Sequence, residues 1–393
     1  MSANHSTGVP WREARAIAAA SSCPLPAETV PLPDAAWRVL AEACTARADL
    51  PGSDTAAMDG WAVAGPGPWR VAGRMLAGAA PWVGTLAAGE AVEIMTGAVV
   101  PAGSAAVLPY EKGTVRGAEG EVSGALGGRT HIRRAGEDYA RGDLLVAAGR
   151  LLTPAVCGLL AQGGIDTVAV HRRPRVRLLV TGDEVIGAGV PAAGQVRDVF
   201  GPMVTALVAA AGGVVTGHDL LRDDPGLLAA ALTGADTDVV AVSGSSSAGR
   251  ADHLRDVLDK IGGRLTVDQV ACRPGHPQVL AELPGGRRLV GLPGNPFAGL
   301  VAGVTLLQPL LRTMAGRLRE AQLRLPVLGD VQLTGGITKL VPVLVEGDRA
   351  VVVPGARPAS LGGAAAADAL AVLDDGWAPG AAAELLPLAG PWW

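Results

Sequence analysis

The sequence predicts an α/β multidomain protein built around an open, largely parallel sheet, with β-rich units before and after it. Three stretches carry that prediction. Residues 176–180 run into Thr181-Gly182-Asp183-Glu184, residues 238–242 into Ser243-Gly244-Ser245-Ser246-Ser247-Ala248-Gly249, and residues 288–292 into Pro293-Gly294-Asn295-Pro296. Short aliphatic, partly β-branched runs that stop at Gly and small polar residues read as buried parallel strands ending in loops. Helical periodicity fills the intervals at 202–211, 225–232 and 252–261, and continues over 297–315. Strand, loop and helix in repetition make an open α/β sheet, and ligands bind such sheets outside the carboxyl ends of the strands. The three loops are therefore where a site is expected.

The remaining elements follow in chain order. Residues 8–22 read as a helix with Pro10 near its start, ended by Pro24-Leu25-Pro26. Residues 28–32 are strand-like and 35–46 helix-like. From 51 to 134, short runs of Val, Ala and Gly between frequent turns indicate a small β-rich unit, in which the Gly-rich 113–128 forms a hairpin or loop. Ile132-Arg133-Arg134-Ala135-Gly136-Glu137-Asp138 is a dense charge cluster, 154–163 an apolar helix, and 168–170 a strand leading into the α/β unit. Past 315 the pattern changes again: 323–345 and 350–354 alternate as strands, 360–369 is small-residue helix or loop, and 369–373 is a strand. That is a small C-terminal β domain.

Composition narrows the function. A chain of 393 residues exceeds one hydrophobic core and implies several domains. Hydrophobic residues make up 49% and aromatics only 3%, so Ala, Gly, Val and Leu fill the cores and few aromatic anchors remain for bases or sugars. With a formal net charge of −4 there is no basic field for a nucleic-acid backbone. The four cysteines are scattered, as reduced thiols of a cytoplasmic protein would be, and the six isolated histidines compose no zinc site. Residues 1–12 are polar and no apolar segment follows them, unlike a secretory signal. The uncharged run 289–311 is long enough to raise the question of a membrane span. It carries Pro293, Gly294, Asn295 and Pro296 in its first third, however, and reads as strand, loop and helix.

Two kinds of residue could do chemistry. Gly/Ser loops at strand ends offer backbone N–H groups and hydroxyls to an anion, assisted by the next helix N-terminus. Ser243 to Gly249 and Pro293 to Pro296 fit that description; either alone is equally a structural turn, whereas two on neighbouring strands favour phosphate or oxyanion binding. Carboxylates are the second kind. Asp183 and Glu184 follow a strand, Asp223 and Asp224 precede Pro225, and Asp252 follows the Ser/Gly loop. Mg²⁺ takes one or two carboxylates plus substrate phosphate, but helix capping, worth ~1 kcal/mol, explains Asp223, Asp224 or Asp252 equally well. Asp59 serves either a turn or a site. Arg273 and His276 lie in a loop that is either solvated or reaches a phosphate. No Walker loop or dinucleotide fingerprint is present, and the second Gly of the Ser243 loop falls one residue too late for a serine-nucleophile elbow.

Six ordered motifs give the chain a resemblance. They are Met58-Asp59-Gly60-Trp61-Ala62-Val63; Ile94-Met95-Thr96-Gly97-Ala98 with Pro101 and Gly103; Arg133-Arg134-Ala135-Gly136-Glu137-Asp138; Thr181-Gly182-Asp183-Glu184; Arg222-Asp223-Asp224-Pro225; and Gly291-Leu292-Pro293-Gly294-Asn295-Pro296. In order and spacing they resemble the molybdopterin molybdenumtransferase family, which includes the bacterial molybdenum-insertion enzyme and the C-terminal domain of gephyrin, over about residues 9–388. The resemblance implies a split linker domain (8–24 and 139–174), a β-rich inserted domain (25–138), an α/β molybdopterin-binding-like domain (175–315) and a C-terminal β-barrel (316–393). It implies a cytoplasmic homodimer that takes adenylylated molybdopterin and molybdate, uses Mg²⁺, inserts molybdenum and releases AMP. The molybdopterin adenylyltransferase becomes a candidate partner; nucleic acid and membrane do not.

By position, the resemblance makes Asp59, Thr96, Asp138, Glu184 and Asp252 catalytic, and Glu184, Asp223 and Asp252 metal-binding. Ser243, Gly244, Ser247, Gly249, Arg273, Gly275, Pro293, Gly294 and Pro296 would hold the cofactor. The chain also departs from the family. Ser245 replaces a Gly of the Ser-Gly-Gly loop; Gln269, Arg273 and His276 stand where lysines are usual; Asp198-Val199-Phe200 replaces Asp-Ser-Asn; Ala56 replaces Ser; and Gly336 to Pro342 lacks two arginines. Each lost charged contact would weaken binding by ~1.5–3 kcal/mol. The rival expectation is accordingly a paralogue that binds or acts on another phosphorylated small molecule, or serves as a partner protein.

Overall fold

The structure, a computed structural model, describes residues 8–117, 120–234, 236–244, 253–317 and 322–388. The chain forms two compact units: Met1–Glu28 with Trp37–Ala41 and Val170–Trp393, and Thr29–Ala36 with Glu42–Ala169.

The larger unit contains the expected open sheet. Its strands lie in the order Val214–Leu221, Arg175–Thr181, Val239–Ser243, Arg288–Leu292, Val279–Glu282, Arg264–Asp268. The first four are mutually parallel and the last two antiparallel, so the sheet is mixed. The chain leaves Arg175–Thr181 toward one edge and returns to its other side, which puts a topological switch point between that strand and Val239–Ser243. Val176, Leu178, Val180 and Ala241 face the helix Phe200–Ala210 and the long helical stretch 296–314, whereas Leu179, Val240 and Val242 face Pro225–Thr233 and Leu254–Ile261. This two-faced alternation explains the unbroken apolar runs: each strand is covered on both sides.

Three strands of this sheet have no apolar run to announce them. Val214–Leu221 is an edge strand whose residues alternate between half-buried and exposed, and its Asp219 pairs with Arg177 of the neighbouring strand at 2.8 Å. Arg264–Asp268 and Val279–Glu282 are short and form a hairpin-like extension. The helix expected over 35–46 is absent. One 3-10 turn, Leu32–Ala35, follows Pro31, and Trp37 then adopts φ +63°, which no right-handed helix can continue; a two-residue strand, Cys44–Thr45, lies beyond. The first helix, Trp11–Ala20, forms as expected, and its Trp11 indole donates to buried Thr305 Oγ1 at 3.0 Å. The stretch 296–314 is the one helix among the described residues long and apolar enough to cross a membrane; 78% of it is buried inside the protein, as in a core helix.

In the C-terminal part, Thr338–Glu346 pairs with both Arg349–Val352 and Ala369–Leu373, and Leu323–Leu328 with both Arg349–Val352 and Ala382–Pro387. Ala369–Leu373 and Ala382–Pro387 also pair, which closes a five-stranded barrel around Val327, Val343, Ala371 and Leu385.

The smaller unit is built on a six-stranded sheet in the order Ala106–Pro109, Gly60–Val63, Glu90–Ile94, Trp69–Met75, Glu121–Gly124, Gly113–Arg116. The last two strands pair antiparallel, so of the hairpin or loop expected over 113–128 the hairpin is what forms.

Candidate active site

In the smaller unit, Gly60 pairs with both Ile94 and Pro109, so Asp59, Thr96 and Tyr110 all lie just past the same end of the sheet. Gly60 is required there: a Cβ would fall 1.9 Å from the Leu108 carbonyl oxygen. Asp59 Oδ1 accepts two hydrogen bonds from Thr96, from the backbone N–H at 2.6 Å and from the hydroxyl at 2.7 Å. Those bonds, the N–H first, hold the exposed Asp59 carboxyl below the usual carboxylate range. Thr96 is presented by a turn closed by the Ala98 N–H on the Met95 carbonyl at 2.9 Å, with Gly97 at φ +82°. Asp138 accepts from the Arg133 guanidinium. The Asp138 and Thr96 loops are both fastened to residues 50–57, through Asp138 N–H to Leu50 O at 2.9 Å, Ala57 N–H to His131 O at 2.9 Å and Gly97 N–H to Ala56 O at 2.8 Å.

In the larger unit, register aligns the strand ends: Val180 lies beside Ser243, and Ser243 beside Leu292. Thr181 donates its hydroxyl to the Ser243 carbonyl at 3.0 Å. Gly244 sits at φ +93°, where a Cβ would meet Thr181 O at 2.6 Å. The two glycine loops approach closely, since a Cβ on Gly294 would lie 3.5 Å from Gly244 Cα. At this strand end the Ser243 side chain is buried, and its Oγ has no hydrogen-bond partner among the described residues. A buried donor left unmade is disfavoured by ~1–3 kcal/mol.

The acidic residues beside these loops divide in two. Asp224 caps the helix Pro225–Thr233, accepting the Leu227 N–H at 2.8 Å. Asp223 is not the cap. Its carboxyl is pushed up by desolvation first, then by the charges of Glu184 and Asp183; nearby His253 and the Asp183 N–H it accepts act the other way. Gly182, at φ +143°, lets Glu184 fold back over the turn. Neutralising this repulsion is expected to stabilise the protein. A raised carboxyl pKa means the penalty is absent in acid and grows as pH rises through the folded value. Asp223→Asn should therefore raise Tm at pH 7, with the gain vanishing toward acid pH; a lower Tm at pH 7 would contradict this. Among the described residues no group of three or more His, Cys, Asp or Glu is placed to hold a metal ion.

Arg273 is exposed, and a cis bond to Pro274 follows it. Gly275, at φ +103°, packs where a Cβ would meet Val301 Cγ1 at 3.1 Å, and its carbonyl accepts from buried Gln278 Nε2 at 2.9 Å. His276 Nδ1 lies 2.7 Å from the Val270 carbonyl, which ties the ring to the backbone. Pro296 opens the helix Pro296–Ala302 as expected. The amides of that helix end are not free for an anion, however. Phe297 and Ala298 both donate to the Pro358 carbonyl, at 3.0 and 3.3 Å, and Pro296 has no N–H. The anion-binding role expected of this helix N-terminus thus reduces to the Gly294 and Asn295 amides.

Comparison with known proteins supplies the family. Residues 9–164 match the model described as the MoeA N-terminal region (domains I and II), and 177–313 the probable molybdopterin binding domain. The chain is 35% identical to the molybdopterin molybdenumtransferase of Haemophilus influenzae over 75% of each chain. It is 32% identical to that of Synechococcus elongatus over 82% of this chain and 83% of the relative. This chain belongs to the molybdopterin molybdenumtransferase family. Its fold is shared along the whole length: a solved molybdopterin biosynthesis protein from Pyrococcus horikosii superposes with TM-score 0.78 at 27% identity, covering 98% of this chain and 100% of that one.

Against the molybdenumtransferase motifs, the structure brings together Asp59 with Thr96, Glu184 with Asp223, and Ser243 and Gly244 with Pro293 and Gly294. Ser247, Gly249, Asp252 and the substituted Ser245 lie outside the described residues. Phe200, standing where this family usually has Asn, is a buried core residue, and Gly299 leaves room for its ring. Sequence reasoning missed Thr181, which braces the Ser243 turn, and gave no role to Tyr110, whose N–H holds the Asp59 carbonyl at 3.2 Å.

Proposed function

We propose that this protein inserts molybdenum from molybdate into adenylylated molybdopterin and releases AMP, as a homodimer in the cytoplasm. The observation that carries the reading is the pair of closely spaced Gly244 and Gly294 turns, with the buried Ser243 hydroxyl left unpartnered among the described residues, at the strand ends where an open α/β sheet binds ligands. The Gly294 and Asn295 amides would hold the phosphates, since the Gly244 N–H already donates to the Leu292 carbonyl at 3.3 Å. Glu184 and Asp223 fit Mg²⁺, since a divalent cation relieves the repulsion that raises Asp223, and two carboxylates plus substrate oxygens suffice for it. When bound, Mg²⁺ polarises the phosphoanhydride. The Asp59 carboxylate, aimed by Thr96, would position molybdate or the attacking water with its second oxygen. In this reading Asp59, Thr96 and Asp138 come from one protomer and the strand-end loops from its twin. Four free cysteines suit a reducing compartment.

Purified protein given adenylylated molybdopterin, molybdate and Mg²⁺ should release AMP, and Glu184→Gln should abolish the release. AMP release no faster than that of the Glu184→Gln variant would refute the activity. Two observations favour the rival reading of a paralogue for another phosphorylated small molecule: the Pro358 carbonyl occupies two helix amides, and the usual lysines are absent. Calorimetric titration decides. Salt-sensitive binding of both AMP and molybdopterin removes the rival, and binding of neither favours it.

A further inference from the structure

Beside Asp59, one face of the small unit's sheet carries a row in which Trp61 belongs to a quoted motif but Glu93, Arg74 and Tyr110 do not. Trp61, Glu93 and Arg74 are register partners, Trp61 opposite Glu93 and Glu93 opposite Arg74, so their side chains share that face. Tyr110, one residue past the end of its strand, lays its ring edge-on to Trp61 with centroids 4.7 Å apart at 85°. Its phenol donates to Glu93 Oε1 at 2.6 Å, and Arg74 Nε lies 3.5 Å from Glu93 Oε2. Tyr110 is also the residue whose backbone N–H donates to the Asp59 carbonyl at 3.2 Å.

We propose that Tyr110, anchored through Glu93 to Arg74, is a positioning residue for the Asp59 carboxylate. The inference rests on the catalytic reading of Asp59 above and adds what holds it. Thr96 fixes only Oδ1 of the carboxylate; the main chain that carries it is the bend 57–59 between the strands Thr55–Ala56 and Gly60–Val63. Tyr110 grips that main chain, and its own side chain is pinned twice, by the indole edge and by a charge-assisted hydrogen bond to a carboxylate that Arg74 keeps in place. The bond persists across the working pH range. Burial, then donation to Glu93, pushes the phenol up to about 12, so it remains a donor and brings no second negative charge beside Asp59.

The test combines turnover with titration. Tyr110→Phe keeps the ring against Trp61 and removes only the hydroxyl. It should lower kcat for AMP release about tenfold with KM within about twofold, as a small misplacement of a reacting group does. In an Asp59→Asn background the same change should have no further effect, because Tyr110 acts through Asp59. An equal loss in both backgrounds, or no loss where Asp59→Asn is impaired, overturns the proposal. The second arm needs no substrate. Difference absorbance between wild type and Tyr110→Phe should place the phenol ionisation near 12, and Glu93→Gln should bring it down toward 10; ionisation near 10 in the wild type removes the Glu93 tie. Full turnover by Asp59→Asn would instead sink the parent reading, leaving the titration to decide the tie alone.

Discussion

Asp59→Asn is expected to lower turnover by about 10²-fold, the loss typical of removing one preorganised polar group from a site, without unfolding the protein. The side chain is exposed and, among the described residues, its carboxylate accepts from Thr96, so nothing in a core depends on it. An amide keeps the shape and can still accept from Thr96, but it carries no charge for molybdate's surroundings or an attacking water to meet. Thr96→Val separates the two Thr96 bonds, because the backbone N–H stays and the hydroxyl goes. Since these bonds hold the carboxyl low, its ionised form is favoured above its ordinary value, and that advantage is lost as pH falls through the folded value. Thr96→Val should therefore move the acid limb of the kcat profile upward. An unmoved limb, with undiminished turnover in Asp59→Asn, would remove Asp59 from the mechanism.

Gly60→Ala should be far more damaging to the fold than its size suggests. The new methyl would lie 1.9 Å from Leu108 O and 2.8 and 2.9 Å from two further backbone atoms of the adjoining strand. Backbone in a paired strand cannot turn aside as a flexible side chain can, so the strands Gly60–Val63 and Ala106–Pro109 must part. Overpacking of this kind costs about 3 kcal/mol, a fall in Tm of about 10 °C for a unit of this size. Thermal unfolding followed by circular dichroism measures it, and an unchanged midpoint would show that the close approach is not there. The same glycine places Asp59, so stability and activity should fail together.

How much of this was legible in the sequence depends on whether a feature is local. The three parallel strands and their loops were, because burial on both faces forces uninterrupted aliphatic runs and the turns force Gly and Ser where the runs end. Val214–Leu221 was not: at the edge of the sheet its apolar residues are interrupted by Thr216, Gly217, His218 and Asp219, and its ion pair with Arg177 depends on a neighbour 42 residues away in sequence. Residues 35–46 were misread because their apolar spacing suits a helix, whereas the φ of Trp37 does not. At the candidate site, motif resemblance picked out Asp59 and Thr96 but not the contact between them. Periodicity could not say which of Asp223 and Asp224 is the cap; the structure gives the cap to Asp224 and leaves Asp223 among like charges. Nor could it reveal that the Pro358 carbonyl stops the helix amides of Phe297 and Ala298, a contact between segments sixty positions apart. The Tyr110–Glu93–Arg74 row belongs to the same class, since it exists only once three strands are in register.

The proposed function implies a shared site, with carboxylate and hydroxyl contributed by one protomer and strand-end turns by the other. Mixing two inactive variants tests this directly. Asp59→Asn and Glu184→Gln, unfolded together and refolded as a mixture, form heterodimers in which one of the two sites is assembled from intact halves and the other carries both defects. With random pairing in a two-fold dimer, AMP release should return to about a quarter of the wild-type rate. Recovery to that level is the predicted result; a mixture as inactive as either variant alone, with heterodimers demonstrably present, would contradict the shared site.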